Sequence, residues 1–323
     1  VSGGNVFEID GTEHTAKRRY AYHFEAATAS PDGRFAVIYE RLGTKGLLLE
    51  DGKILRELNR SFYHAEAYEY PVALFYEPDG RLLLAHCPAD YNRIELEEVE
   101  TGQVLTALPN RDPPDFFHSR LRASPNGQRL LSAGWVWHPW SAVACFDVAR
   151  ALADPCHLDN LDSVSPYSQH VGLTEETSAC WLDDDTIVLG ASNEPESPEE
   201  RHEAGAEPRL RPCGVAVYDL TNGATCRGAF QLDEQPGTLL AVGPHHILSL
   251  YRHPKLIDLA NGRILHVWRE LRSGLQDGSI LWGLNEETRP PPMAFDSTNH
   301  RFAIANGDAV IIIEFNLSAF SSA

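Results

Sequence analysis

Aromatic and ionisable side chains gather in a few short stretches of the chain. Four of them are Tyr39-Glu40-Arg41, His86-Cys87-Pro88-Ala89-Asp90-Tyr91, Trp135-Val136-Trp137-His138-Pro139-Trp140 and Tyr251-Arg252-His253. Phe62-Tyr63-His64 and Asp115-Phe116-Phe117-His118 are two more. Aromatic and Arg side chains are the usual anchors of protein–protein contacts, since they join large apolar area to a polar handle. Glu25, Glu69 and Glu176 suggest a different chemistry, because carboxylates converging on one point hold Ca²⁺ or a catalytic divalent ion. No matching asparagines accompany them, so solvated carboxylates are the simpler reading. His86-Cys87 is a poor thiolate–imidazole pair, because neighbours on a strand point to opposite faces. His245-His246 falls in a hairpin turn after Gly243-Pro244 with no further ligands near it in sequence. The chain has no Gly-x-Ser-x-Gly, no phosphate loop and no His-Glu-x-x-His.

The elements that position these stretches are hairpins. Ala29-Ser30-Pro31-Asp32-Gly33-Arg34 leads into the apolar run Phe35 to Tyr39. Pro fixes φ at the first corner of a tight turn, Asp bonds back to the backbone and Gly supplies a positive φ. Glu77-Pro78-Asp79-Gly80-Arg81 and Ser124-Pro125-Asn126-Gly127-Gln128 repeat the motif, so that Pro31, Pro78 and Pro125 recur at an interval of 47 residues. A hairpin returning at that period is the mark of a radial β array.

Outer hairpins follow the inner ones, with Asp51-Gly52, Thr101-Gly102, Asn222-Gly223 and Asn261-Gly262 at their tips. Leu182-Asp183-Asp184-Asp185 replaces the proline turn in the fourth unit. Each unit thus predicts a four-stranded sheet, and stacking such sheets around an axis buries both faces. The count predicts an all-β propeller of six four-stranded blades over residues 1–323 as one domain. The interval from Arg269 to Pro292 and an extra N-terminal strand leave seven open. The last unit, ending on Ala309 to Phe315, lacks a full outer hairpin, so an N-terminal strand is expected to close the ring and cover the edge.

These hairpins make the chain resemble the WD-repeat-like β-propellers, in the broad sense that includes their divergent bacterial members. Ser/Glu-Pro-Asp/Asn-Gly turns and outer hairpins such as Tyr218-Asp219-Leu220-Thr221-Asn222-Gly223 carry the resemblance over nearly the whole chain. Gly-His and Trp-Asp dipeptides are missing, so the family's Asp–His network has no counterpart. What the resemblance implies is fold, since propellers host enzymes, sensors and scaffolds alike.

In that architecture, loops after second strands and connections between blades emerge on one face. The candidate partner-binding set there is Tyr39, Arg41, His64, His86, Tyr91, Phe116, Phe117, His118, Trp137, His138, Trp140, Tyr251 and Arg252. The expectation is a non-enzymatic propeller that binds a protein, such as a toxin it neutralises or another subunit of a complex. The alternative is a metal-dependent hydrolase or lactonase working at the channel mouth, with Glu25, Glu69 and Glu176 as metal candidates. No cofactor is expected.

A net charge of -19 repels nucleic-acid phosphate and leaves room for a basic protein partner. Six cysteines form no Cys-x-x-Cys pair, and no apolar run is long enough to span a bilayer. A cytoplasmic monomer with reduced thiols is the expectation, with Val1-Ser2-Gly3-Gly4 leaving a removed signal open. The segment from Ser192 to Pro208 is acidic, lacks apolar periodicity and reads as a mobile loop on the aromatic face.

Overall fold

The computed structural model describes residues 6–7, 10–14, 22–137, 140–161, 177–193 and 210–316. Strands β1 (Val6–Phe7) and β2 (Glu13–His14) pair with each other. Six antiparallel sheets follow in chain order. The first holds β3 (Ala26–Ala29), β4 (Phe35–Tyr39), β5 (Lys45–Glu50) and β6 (Lys53–Asn59). The second holds β7 (Val72–Tyr76), β8 (Leu82–His86) and β9 (Glu95–Glu98). The third holds β10 (Arg122–Ala123), β11 (Arg129–Trp137) and β12 (Trp140–Asp147). In the fourth are β13 (Thr177–Trp181), β14 (Thr186–Ala191), β15 (Gly214–Asp219) and β16 (Thr225–Gln231). The fifth comprises β17 (Leu239–Val242), β18 (His246–Ser249), β19 (Lys255–Asp258) and β20 (Ile264–Val267). The sixth comprises β21 (Met293–Asp296), β22 (Arg301–Asn306) and β23 (Ala309–Glu314).

The inner turns close as their residue types dictate. Gly33 N–H donates to the Ser30 carbonyl at 2.9 Å, Ser30 Oγ donates to Asp32 Oδ1 at 2.5 Å, and Phe35 N–H returns to Ser30 Oγ at 3.0 Å. Ser124, Asn126, Gly127 and Arg129 repeat this pattern. The turns also join neighbouring sheets. Tyr76 Oη donates to Asp32 Oδ2 at 2.8 Å, and Asn126 N–H donates to Asp184 Oδ1 at 2.8 Å. A Cβ on Gly127 would stand 1.8 Å from the Tyr76 carbonyl oxygen, and its φ is +70°. Glycine is required there twice over.

Apolar faces pack in sequence around this series. Val37 and Leu48 meet Val72 and Leu84 between sheets one and two. Leu83 and Leu96 meet Leu130 and Phe146 between two and three. Leu131 and Cys145 meet Leu189 and Tyr218 between three and four, Val188 and Val215 meet Leu239 and Ile257 between four and five, and Leu248 meets Phe302 between five and six. First strands lie side by side, β3 on β7, β7 on β10 and β13 on β17. The arrangement is all-β and propeller-like.

The expectation of four strands in every sheet needs correcting. Sheet two has only a bridge from Glu97 to Val104 where a fourth strand was expected, and Thr106 Oγ1 accepts Leu96 N–H at 2.9 Å. After β12 the chain turns into helix α1 (Val148–Ala153), whose N-cap Asp147 accepts Arg150 N–H at 2.9 Å. The Ala-rich run that follows suits a helix rather than a strand. Arg111, its side chain wholly buried, ties the 3-10 turn Pro155–Asp159 to sheet two through Asp159 and the Ile94 carbonyl. The expected pairing of an N-terminal strand onto β23 is not among the described ladders, and residues 15–21 lie outside the described residues. Most of the acidic segment, 194–208, also lies outside them. Among the described residues no helix is long and apolar enough to cross a membrane.

Candidate functional site

The connection from β6 to β7 is held from beneath by Arg60. Its Nε donates to the Gly43 carbonyl at 2.8 Å, and its Nη2 donates to the carbonyls of Ala65 at 2.6 Å and Tyr68 at 3.1 Å. Its guanidinium also lies over the rings of Tyr68 and Tyr70. With a left-handed φ of 52° at His64, the loop turns its side chains toward sheet three.

There they join a column of rings. Phe117, fully buried, stacks on Tyr91 at 4.3 Å and packs on Trp135 at the same distance. Phe117 and Trp135 also exchange two backbone hydrogen bonds, 2.7 and 3.1 Å. A Cβ on Gly134 would meet the Phe117 carbonyl at 2.3 Å, so glycine admits this close approach. Tyr63 lies over Phe117 at 5.8 Å with rings 14° from parallel, and 5.0 Å from Tyr91. His64 contacts Tyr63, Phe117 and Trp135 edge-on. The column ends in solvent, where Tyr63 is 48% and Phe62 81% exposed.

A third segment completes the rim. Leu281 and Trp282 donate their N–H groups to the Ala67 carbonyl at 2.8 and 3.2 Å, and Tyr68 bridges to Ile280. Trp282 is 70% exposed. Burial, and then the Asp115 carboxylate that accepts its Oη–H at 2.7 Å, push the Tyr91 phenol up to about 12.

Beneath the column, groups just ahead of the first strands of sheets two, three and five converge. Glu69 accepts Arg120 Nε at 3.0 Å and Gln276 Nε2 at 2.8 Å, while Arg120 Nη2 reaches Thr238 Oγ1 at 2.9 Å. Burial alone would raise the Glu69 carboxyl, but Arg120 and Arg41 hold it below its ordinary value. The convergence is as the radial reading requires, yet the carboxylate faces a guanidinium. Glu25 instead accepts Arg41 N–H at 2.9 Å, and Glu176 lies outside the described residues. Among the described residues no group of three or more His, Cys, Asp or Glu side chains is placed to hold a metal ion.

The structure sorts the other candidates. It brings His64, Tyr91 and Phe117 together. Phe116 and His118 are wholly buried between sheets two and three, correcting their expected place on an open face; His118 Nδ1 lies 3.1 Å from Ser132 Oγ. Burial drives the His118 imidazole down to about 3, so it stays neutral. His86 is likewise buried as the last residue of β8, with Nε2 3.4 Å from Glu97. Tyr39 packs on Tyr70 at 5.5 Å, and burial raises its phenol to about 12. Tyr251 and Arg252 form a separate group around Glu234 and the buried Lys255. Backbone pairing sets Trp137 opposite Trp140, their side chains and His138 lying outside the described residues. Sequence reasoning left Trp282 and Arg60 out. A long interval without strands, such as 269–292, was the signal that could have found Trp282.

No family model matches this chain, and no curated protein matches it. Among solved structures, a chain of Kuenenia stuttgartiensis Hydrazine Synthase superposes with a TM-score of 0.54 at 14% identity, covering 94% of this chain and 86% of that one. At that identity the likeness is one of fold.

Proposed function

We propose that this chain is a single-domain, WD-repeat-like propeller of six blades that binds a protein partner through its aromatic rim, without catalysis of its own. An N-terminal strand completes the ring in this reading. It acts as a cytoplasmic monomer, by neutralising a toxin or by joining a larger complex. The supporting observation is the ring column from Trp135 through Phe117 to the half-exposed Tyr63, with exposed Phe62 next to Tyr63 in the same loop and exposed Trp282 held to that loop by its backbone bond to Ala67. Rings ordered by a buried stack but left in water form an apolar patch that a partner covers. Anchors held in place before binding lose little entropy on association.

The test is affinity capture from the native host, with mass spectrometry of what is retained. Unaltered protein and the Phe62→Ser/Trp282→Ser variant are compared alongside thermal melts. A protein retained by the first and lost by the second, at equal melting temperature, supports the reading. Identical retention by both removes it.

A further inference from the structure

We infer that the aromatic rim takes a cationic segment of its partner, with an Arg or Lys side chain laid over the exposed rings. The inference rests on the binding role proposed above and adds the chemistry of what is bound. Tyr63, 48% exposed, packs on the partly buried Tyr91 with ring centroids 5.0 Å apart and a tilt of 41°. Carboxylates border them. Asp115 holds the Tyr91 hydroxyl at 2.7 Å, and Glu66, exposed over 71% of its side chain, lies 3.9 Å from the His64 ring that packs on Tyr63. The guanidiniums nearest in sequence do not neutralise this border. Arg60 is buried against carbonyl groups, Arg93 donates to Glu95 at 2.6 Å, Arg111 pairs with Asp159 at 2.5 Å and Arg120 with Glu69 at 3.0 Å. A ring face attracts a cation through its quadrupole, and adjacent carboxylates add a charge that an apolar or acidic partner would meet unpaired. The chain's net charge of -19 draws the same partner from a distance.

The probe is a fluorescent peptide of alternating Arg and Gly, measured by anisotropy at low and at physiological salt. Gln–Gly and Glu–Gly peptides of equal length serve as comparisons. The Arg–Gly peptide should bind, weaken as salt rises, and lose about tenfold in affinity on Tyr63→Ser or on Glu66→Gln with Asp115→Asn. Asp79→Asn with Glu100→Gln, at the opposite end of the sheets, should leave it unchanged. Equal binding of the Gln–Gly peptide, or equal losses from both pairs of carboxylate variants, overturns the inference. Should the peptide fail while the rim variant still loses its captured protein, the cationic reading falls and the binding role stands. Both fall if neither responds to the rim.

Discussion

The Arg60 guanidinium lies 4.6 Å from the centre of the Tyr68 ring while donating to the Tyr68 carbonyl at 3.1 Å. One buried cation thus fixes both the backbone and the ring of the residue that seats Phe117. Arg60→Met keeps the apolar stem and leaves the Gly43, Ala65 and Tyr68 carbonyls without their donor. Stability should fall by roughly 2 kcal/mol or more, the cost of stranding buried acceptors. Urea denaturation measures it, and a change below about 0.5 kcal/mol would show that Arg60 is not the anchor.

Glu69 carries a pH signature. Its folded value lies below the ordinary 4.5, so its pairing with Arg120 stabilises fully above that value and is lost as pH falls through the lower folded one. Glu69→Gln should therefore be less stable than the unaltered chain at pH 7. The gap should narrow as pH drops below about 4.5. A gap independent of pH across pH 7 to 3 would contradict the ion pair.

His118 acts in a higher window. Between its ordinary 6.5 and its folded value of about 3, the unfolded chain holds a proton that the folded chain does not. The stabilisation is complete above 6.5 and declines by about 1.4 kcal/mol for each pH unit below it. His118→Gln should accordingly lose less stability than the unaltered chain between pH 7 and 5, by about 2 kcal/mol. Parallel losses measured by urea titration would mean that another group titrates there.

Two glycines separate strain from collision. Gly33 and Gly127 have similar φ, +74° and +70°, but a Cβ meets nothing at Gly33 and the Tyr76 carbonyl at Gly127. Gly33→Ala should cost about 1–2 kcal/mol for the left-handed backbone. Gly127→Ala should cost clearly more, because sheets two and three must part. Equal losses would show that the contact is not tight.

The turns were legible because their chemistry is local. Ser30-Pro31-Asp32-Gly33 and Ser124-Pro125-Asn126-Gly127 name their own geometry, and Asp51-Gly52 has the two positive φ values, 46° and 73°, of a hairpin tip. The site was half legible. Phe116, Phe117 and His118 read as one aromatic cluster, yet alternation sends Phe116 and His118 to one side, 4.7 Å apart in the core, and Phe117 to the other. Applied to that triplet, period two separates surface from core. Only the strandless interval 269–292 pointed toward Trp282, since its place depends on backbone bonds to Ala67, more than two hundred residues away. Helix α1 was missed because the hairpin rhythm of the first units was extended over an Ala-rich run with its own cap.

Calorimetric titration of the captured partner tests the rim most directly. Three proteins are compared: the unaltered chain, Phe62→Ser/Trp282→Ser, and Lys53→Ala/Gln103→Ala at the opposite end. Loss of two exposed anchors should weaken binding by about a hundredfold or more, with the melting temperature unchanged, while the distant pair binds as the unaltered chain does. Full affinity in the rim variant, with loss in the distant one, would place the interface at the turn end and contradict the account.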